Sequence, residues 1–211
     1  MNRKEIIARR AARFFHPGDT VNLGIGIPVL CAKYADPQVI FQSENGILGV
    51  GPTVEQSDTP SSFCNTLAED VLPIPGASIF GTATALAIIR GGHLDTTVLG
   101  GMQVSEHGDL ANWAAPGHRV GMGGAMDLCV GTDLVLVAME HCTKDGTPKL
   151  VRQCMLPLTG KGCVSFVVTE LGVFRPSSDG FVVEEIAAGH TLEEIQKKTA
   201  ADVRLSPDSV R

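Results

Sequence analysis

Again and again in this chain, a short apolar run that reads as a strand gives way to glycine. Thr20-Val21-Asn22-Leu23 runs into Gly24-Ile25-Gly26, and Val39-Ile40-Phe41-Gln42 into Ser43-Glu44-Asn45-Gly46. Asp95-Thr96-Thr97-Val98-Leu99 runs into Gly100-Gly101-Met102-Gln103. A further cluster, Gly121-Met122-Gly123-Gly124, precedes Asp133-Leu134-Val135-Leu136-Val137-Ala138-Met139, a near-continuous apolar run of the kind found at a sheet centre. Helical segments alternate with these runs. The pattern predicts an α/β fold: an open, mixed or mostly parallel sheet covered by helices, with several glycine junctions brought to one edge. With 24 glycines and only 5% aromatic residues, close-approach turns carry much of the architecture.

Around that frame the other elements fall into place. Asn2 caps a helix in which Ile6, Ile7, Ala11, Phe14 and Phe15 recur at helical spacing, and His16-Pro17-Gly18-Asp19 ends it. Arg3, Lys4, Arg9, Arg10 and Arg13 spread along several turns of the opposite face, as a solvated face does rather than a convergent anion site. Residues 53–65 are polar, show neither period and read as an exposed loop or flap. Pro73-Ile74-Pro75-Gly76-Ala77 turns the chain into a helix over residues 78–89, closed by Gly91-Gly92, whose Thr82-Ala83-Thr84-Ala85 run implies close packing. Residues 114–120 and Gly121 to Asp127 read as loops. Beyond Leu156-Pro157-Leu158-Thr159-Gly160 come a strand at 164–169, a hairpin through 175–180 signalled by Asp179-Gly180, and a capping box at Thr191-Leu192-Glu193-Glu194. Residues 202–211 read as a peripheral tail. No repeat, low-complexity tract or linker divides the sequence, so residues 1–211 are expected to form one domain.

Composition removes several function classes. The net charge of −6 and the lack of any Lys/Arg run exclude a phosphate track for nucleic acid. No apolar stretch approaches the roughly 20 residues needed to span a bilayer, so no membrane role is expected. The six cysteines sit at irregular spacings with no Cys-x-x-Cys pair and no secretory leader ahead of them, which points to reduced thiols in a cytoplasmic protein. Glu140-His141-Cys142 invites a metal or thiol-nucleophile reading, but no second ligand pair stands at a usual spacing; a structural role is expected, with no metal bound.

Chemistry concentrates at the glycine junctions. Glu44 follows a strand and precedes Asn45-Gly46, a pair that readily takes positive φ, so its carboxylate stands at the lip of the sheet. In isolation, Glu44 could equally be a surface acid on a solvated turn. Gly24 and Gly26 let backbone N–H groups approach a carboxylate or phosphate, or serve only tight packing, since the third glycine of a dinucleotide fingerprint is missing. Gly121, Gly123 and Gly124 form a loop whose N–H groups suit an oxyanion or, alternatively, a plain bend. A carboxylate, the Gln103 amide and that loop together are able to surround one carbonyl.

Several longer stretches carry a resemblance. Ser43-Glu44-Asn45-Gly46 with Gly49-Val50-Gly51-Pro52, then Ile89-Arg90-Gly91-Gly92-His93, Leu99-Gly100-Gly101-Met102-Gln103-Val104 and Gly108-Asp109-Leu110-Ala111-Asn112-Trp113 appear in order. Gly121-Met122-Gly123-Gly124-Ala125-Met126-Asp127 and Leu156-Pro157-Leu158-Thr159 follow. Over nearly the whole chain the sequence resembles the β subunit of family I CoA-transferases, most closely the 3-oxoacid group that handles acetoacetate, acetate, butyrate or succinate. The resemblance implies an open α/β fold of the CoA-transferase type, Glu44 as nucleophile and Gly124 as backbone oxyanion donor. Gly24, Gly26, Ser43, Asn45, Gln103 and Gly123 complete the residues expected to contact CoA or substrate. It also implies that CoA is a substrate rather than a permanently bound cofactor, and that an α subunit completes the cleft in an αβ or α2β2 assembly. Residues 53–70 depart from the family pattern, which leaves the acid exchanged open.

Such chemistry has physical grounds of its own. A glutamate at its ordinary pKa of ~4.3 is ionised at neutral pH and needs no general base to act as a nucleophile. Its attack on an acyl-CoA gives a mixed anhydride and CoA thiolate, and return of the thiolate gives a glutamyl-CoA thioester. Each step passes through a tetrahedral oxyanion that fixed N–H donors stabilise. Two rivals stand beside transfer at this stage: an acyl-CoA hydrolase on the same site, and a non-catalytic ligand-sensing subunit of the same fold.

Overall fold

The computed structural model of the chain describes residues 2–54, 63–65, 68–119 and 121–210. Helix α1 (Arg3–Ala11) is followed by β1 (Thr20–Leu23), a 3₁₀ segment at Pro28–Tyr34, β2 (Ile40–Ser43), β3 (Ile47–Thr53) and β4 (Val71–Ile79). Next come α2 (Thr82–Arg90), β5 (Leu94–Leu99), the short strands β6 (Gln103–Ser105), β7 (Leu110–Ala111), β8 (Ala114–Ala115) and β9 (His118–Arg119), then α3 (Ala125–Gly131) and β10 (Thr132–Ala138). The rest comprises β11 (Leu150–Val151), β12 (Phe166–Thr169), β13 (Gly172–Ser177), β14 (Gly180–Ile186), α4 (Leu192–Lys198) and β15 (Val203–Val210).

Among the described residues, ten strands form one mixed sheet in the order β15-β14-β13-β12-β10-β5-β1-β2-β3-β4. Its centre, β12-β10-β5-β1-β2, is parallel throughout, so the carboxyl ends of these five strands share one edge. From β1 the chain steps to β2 on one side and from β5 to β10 on the other, which leaves a crevice above the β1/β5 boundary. The apolar run on β10 explains the layering. Val135 and Val137 pack with Ile89 of α2, Leu128 of α3 and Ile195 of α4, while Leu136 and Ala138 pack with Ile7 of α1 and Cys31 of the 3₁₀ segment. A strand covered on both faces must be apolar on both, which is why this run shows no alternation.

At the start of the chain Asn2 Oδ1 accepts the Glu5 N–H at 3.0 Å and the Glu5 carboxylate accepts the Asn2 N–H at 3.1 Å, a reciprocal cap. The basic face of α1 differs from expectation at Arg10. Its side chain is only 10% exposed; it donates to Glu185 Oε1 at 2.9 Å and to the Thr169 carbonyl at 2.6 Å, tying the helix to β14 and the end of β12.

Several further expectations are corrected. Residues 71–79 form strand β4, not the start of a helix, because among the described strands of the sheet β4 is the outermost and pairs with β3. Pro73 and Pro75, which lack an N–H, are tolerated at such an edge. The helix therefore begins at Thr82; of the expected close-packed run, Thr82, Ala83 and Thr84 lie exposed on its first turn while Ala85 is buried. Residues 114–119 form the small β8–β9 hairpin, and the Gly123-Gly124 loop opens directly into α3. The tail is not peripheral: β15 adds in parallel to β14 at the opposite edge of the sheet. At Thr191 half of the capping box is present. Thr191 Oγ1 accepts the Glu194 N–H at 3.2 Å, but the Glu194 carboxylate is drawn to His190 and Lys198 instead of back to the cap. The expected flap at 53–65 falls mostly on residues 55–62, outside the described residues. No helix among the described residues is long and apolar enough to cross a membrane.

His141 fills a structural place beyond β10. It is fully buried, hydrogen-bonded through Nδ1 to Thr169 Oγ1 (3.2 Å) and through Nε2 to Thr199 Oγ1 (3.0 Å), and it meets Phe174 edge-on at 5.0 Å. Burial first, then Lys198 and Lys149, push its pKa down from 6.5 to about 4. The unfolded chain therefore takes the proton first as pH falls, and stability held by the neutral ring is intact above pH 6.5 and lost progressively toward pH 4. The loss amounts to roughly 3 kcal/mol. Urea unfolding at pH 7 and at pH 4.5 should show a larger drop for the wild type than for His141→Gln.

Candidate active site

Glu44 sits in the turn between β2 and β3, at the carboxyl edge of the parallel strands. The turn is held by the Gly46 N–H on the Ser43 carbonyl (3.0 Å) and by the Phe80 N–H on the Gly46 carbonyl (2.9 Å). Gly46 has φ +116°, and a Cβ there would overlap the Phe80 carbonyl oxygen. Backbone packing alone thus places Glu44 under the start of α2. Gly46→Ala combines left-handed strain with that overlap and is expected to lower stability by roughly 3 kcal/mol, read as a lower urea midpoint.

The Glu44 carboxylate faces the Gly123-Gly124 loop. A Cβ on Gly123 would lie 3.4 Å from Glu44 Oε1, and one on Gly124 would overlap Glu44 Oε2, so the backbone comes as close to the carboxylate as a glycine allows. The Gly124 backbone N–H lies close enough to favour its charged form. Burial pushes the Glu44 pKa above its ordinary 4.5; the Gly124 N–H opposes this, and the nearby Asp127 charge adds to it. Asp127 itself pairs with Arg90 Nε at 2.6 Å.

Around this pair lies a cleft of about 360 Å³ over the ends of β1 and β5. Its walls include Asn22, Gly24, Ile25, Gly100, Asn112 and Met122, besides Glu44, Gly123 and Gly124. Asn22 is 4% exposed and donates to Gln42 Oε1 at 2.7 Å, an amide pair buried across β1 and β2. Asn112 Nδ2 donates to the Gly100 carbonyl at 3.0 Å, and its Oδ1 accepts from Thr159 Oγ1 at 2.6 Å.

Of the residues expected from sequence, the structure gathers Glu44, Gly123, Gly124 and Gly24 around one cleft. Gly24 lends shape rather than a donor, because its N–H is taken by the Val98 carbonyl at 2.8 Å. The other four are not among the cleft walls. Gly26, at φ +91°, shapes the turn before the 3₁₀ segment. Ser43 lines a separate cavity beside β3 and the 3₁₀ segment, and Asn45 is exposed and donates to the Cys64 carbonyl at 2.8 Å. Gln103 Oε1 accepts the N–H groups of Met155 (2.9 Å) and Leu156 (3.1 Å), so this oxygen braces a loop. Asn22 and Asn112 supply the amides of the cleft. The strand position of Asn22, two residues before Gly24, was the available signal for the first; for the second it was the Gly108 to Trp113 stretch that contains Asn112.

A sequence profile described as Coenzyme A transferase matches residues 4–198, and the chain belongs to that family. Within it, the alignment is with β subunits. The β subunit of the succinyl-CoA:3-ketoacid coenzyme A transferase of Helicobacter pylori (strain ATCC 700392 / 26695) is 45% identical over 201 residues, 94% of this chain and 97% of that protein. The β subunit of the acetate CoA-transferase of Escherichia coli K12 is 45% identical over 211 residues, 99% of this chain and 96% of that protein. Among solved structures, an acyl-CoA transferase (YdiF) of Escherichia coli O157:H7 superposes with TM-score 0.79 over 99% of this chain at 22% identity. This chain spans 42% of that longer one, of which a thioester complex with CoA has also been solved.

Proposed function

We propose that the chain, acting as one domain, transfers CoA between an acyl-CoA and a short-chain carboxylic or 3-oxo acid through a glutamyl-CoA thioester on Glu44. The observation that carries this reading is the half-buried Glu44 carboxylate set directly against the Gly123-Gly124 backbone inside the cleft. The names of the relatives, which include succinyl-CoA, 3-ketoacid and acetate, support the acid class.

Glu44 attacks the thioester carbonyl and expels CoA thiolate, leaving an acyl-glutamyl anhydride. The thiolate then attacks the Glu44 carbonyl and releases the first acid, and the incoming acid reverses both steps. When thiolate or acid adds to the glutamyl carbonyl, negative charge develops on an oxygen of Glu44 itself, where the Gly124 N–H already lies. A fixed donor of this kind is worth about 3–4 kcal/mol in the transition state. A carboxylate is a weak nucleophile, and its partial burial removes solvent that would otherwise stabilise its ground state.

One open edge of a sheet cannot enclose CoA. Ile25 and Met126, on the cleft walls and at the start of α3, are 61% and 50% exposed. Large apolar side chains left bare beside a site are typical of a surface that a partner covers. Together with the names of the relatives and the greater length of the solved transferase, this supports an α subunit closing the cleft, in an αβ or α2β2 assembly.

Treating the assembled enzyme with acyl-CoA and borohydride should reduce the thioester and convert Glu44 to the corresponding alcohol, read by peptide mass. Transfer that proceeds with no such label would refute the mechanism. Because Glu44 must be ionised to attack and its pKa is raised, kcat/KM should fall on the acid side with an apparent pKa above 4.5, measured as a pH–rate profile.

A further inference from the structure

On the inner side of α3, opposite the cleft, two thiols meet across one glycine. A Cβ at Gly160 would stand 2.6 Å from Cys163 Sγ and 2.9 and 3.1 Å from Cys129 Cβ and Sγ, so both sulfurs crowd the same face of that residue. The two thiols perturb each other's titration, which lowers Cys163 and raises Cys129. Cys129 is 5% exposed, Cys163 is partly exposed, and all six cysteines are free thiols.

We propose that Cys129 and Cys163 form a reversible disulfide, by exchange with a small disulfide such as that of glutathione, which ties α3 to the 156–163 loop and slows CoA transfer. The order of events follows from the pair. The interaction with Cys129 lowers the Cys163 pKa below 9.0, while the same interaction and burial raise Cys129. Cys163 is therefore the attacking thiolate. Its sulfur takes one sulfur of the small disulfide and releases a first thiolate. Cys129, as it loses its proton, attacks the mixed disulfide and releases a second, so one small disulfide becomes two thiols and the protein gains one S–S bond. The third nearby sulfur does not compete: Cys154 donates to the Asp109 carbonyl at 3.6 Å, and burial raises it to about 11.

The two tethered segments both support the cleft. Gly124 caps α3, and Thr159, four residues before Cys163, holds Asn112 in the wall. An S–S bond is about 2 Å long, shorter than any contact between two free thiols, so closing it must draw these supports together.

The full chain, equilibrated with reduced and oxidised glutathione and mapped by mass, should yield a linked Cys129–Cys163 peptide. Cys129→Ala should carry a glutathione adduct on Cys163, Cys163→Ala none on Cys129, and Cys64→Ala should behave as wild type. Absence of the linked peptide, or an adduct on Cys129 in Cys163→Ala, overturns the proposal. In the complex with the α subunit proposed above, the oxidised chain should turn over at least fivefold more slowly and recover with dithiothreitol, while Cys129→Ala shows no such reversible loss on oxidation. An unchanged rate in fully cross-linked enzyme also overturns it. The peptide map is independent of how Glu44 reacts, so its failure and a failure of the thioester reading are distinguishable.

Discussion

Glu44→Ala is expected to reduce CoA transfer by about 10⁴-fold or more while the protein stays folded. The size of the effect follows from the role: without the carboxylate there is nothing to carry CoA between the two acids. The retained fold follows from the environment. Burial raises the Glu44 pKa, so the folded state disfavours the charge that the unfolded chain bears freely at neutral pH. Removing that charge should leave the thermal midpoint unchanged or slightly higher. Glu44→Gln, which keeps the shape against the Gly123-Gly124 backbone, should be equally inactive. Activity in the Gln variant above about 1% of wild type would mean that the residue positions substrate instead of forming the intermediate.

Gly124→Ala should be the next most damaging change, with a loss of about 10²–10³-fold in kcat. The backbone at Gly124, φ −83° and ψ 6°, is open to alanine, so helix α3 should survive. What alanine does not fit is the space: its methyl would occupy the position of Glu44 Oε2 and drive the carboxylate off its donor. Gly123→Ala provides the contrast. Its methyl would make ordinary contact with Glu44 Oε1 at 3.4 Å, but φ is +54°, so it should cost stability more than turnover. Measuring kcat and the urea midpoint for both variants separates the two; a Gly124→Ala enzyme with normal kcat would contradict the assignment of the donor.

Sequence reasoning reached the parts of this molecule that are set locally. The apolar run on β10, the cap at Asn2 and the Asp179-Gly180 turn all obey short-range rules, and each stands where those rules put it. It erred where distant chain decides. Pro73 and Pro75 look like the entry to a helix until β3 offers them an edge, and the tail becomes a strand only because β14 is there to receive it. The site divides in the same way. Glu44 and the paired glycines were marked by their own motifs, but the place of Gln103 depended on residues 155 and 156, some fifty positions later, and Asn112 joined the cleft through Thr159, equally remote. Spacing within a motif says nothing about such partners.

The two close approaches at Gly46 and Gly124 have an evolutionary corollary. In the proposed reaction the Glu44 carboxyl is set against main chain: one glycine presses on the Phe80 carbonyl and another admits the Glu44 oxygen. No wall side chain takes part in either contact. Residues such as Ile25 and Met122 can therefore be exchanged during divergence, or by an engineer, to suit a longer, branched or doubly charged acid without retuning the reactive centre. Retargeting such a protein becomes a matter of redecorating the room around a fixture bolted to the frame.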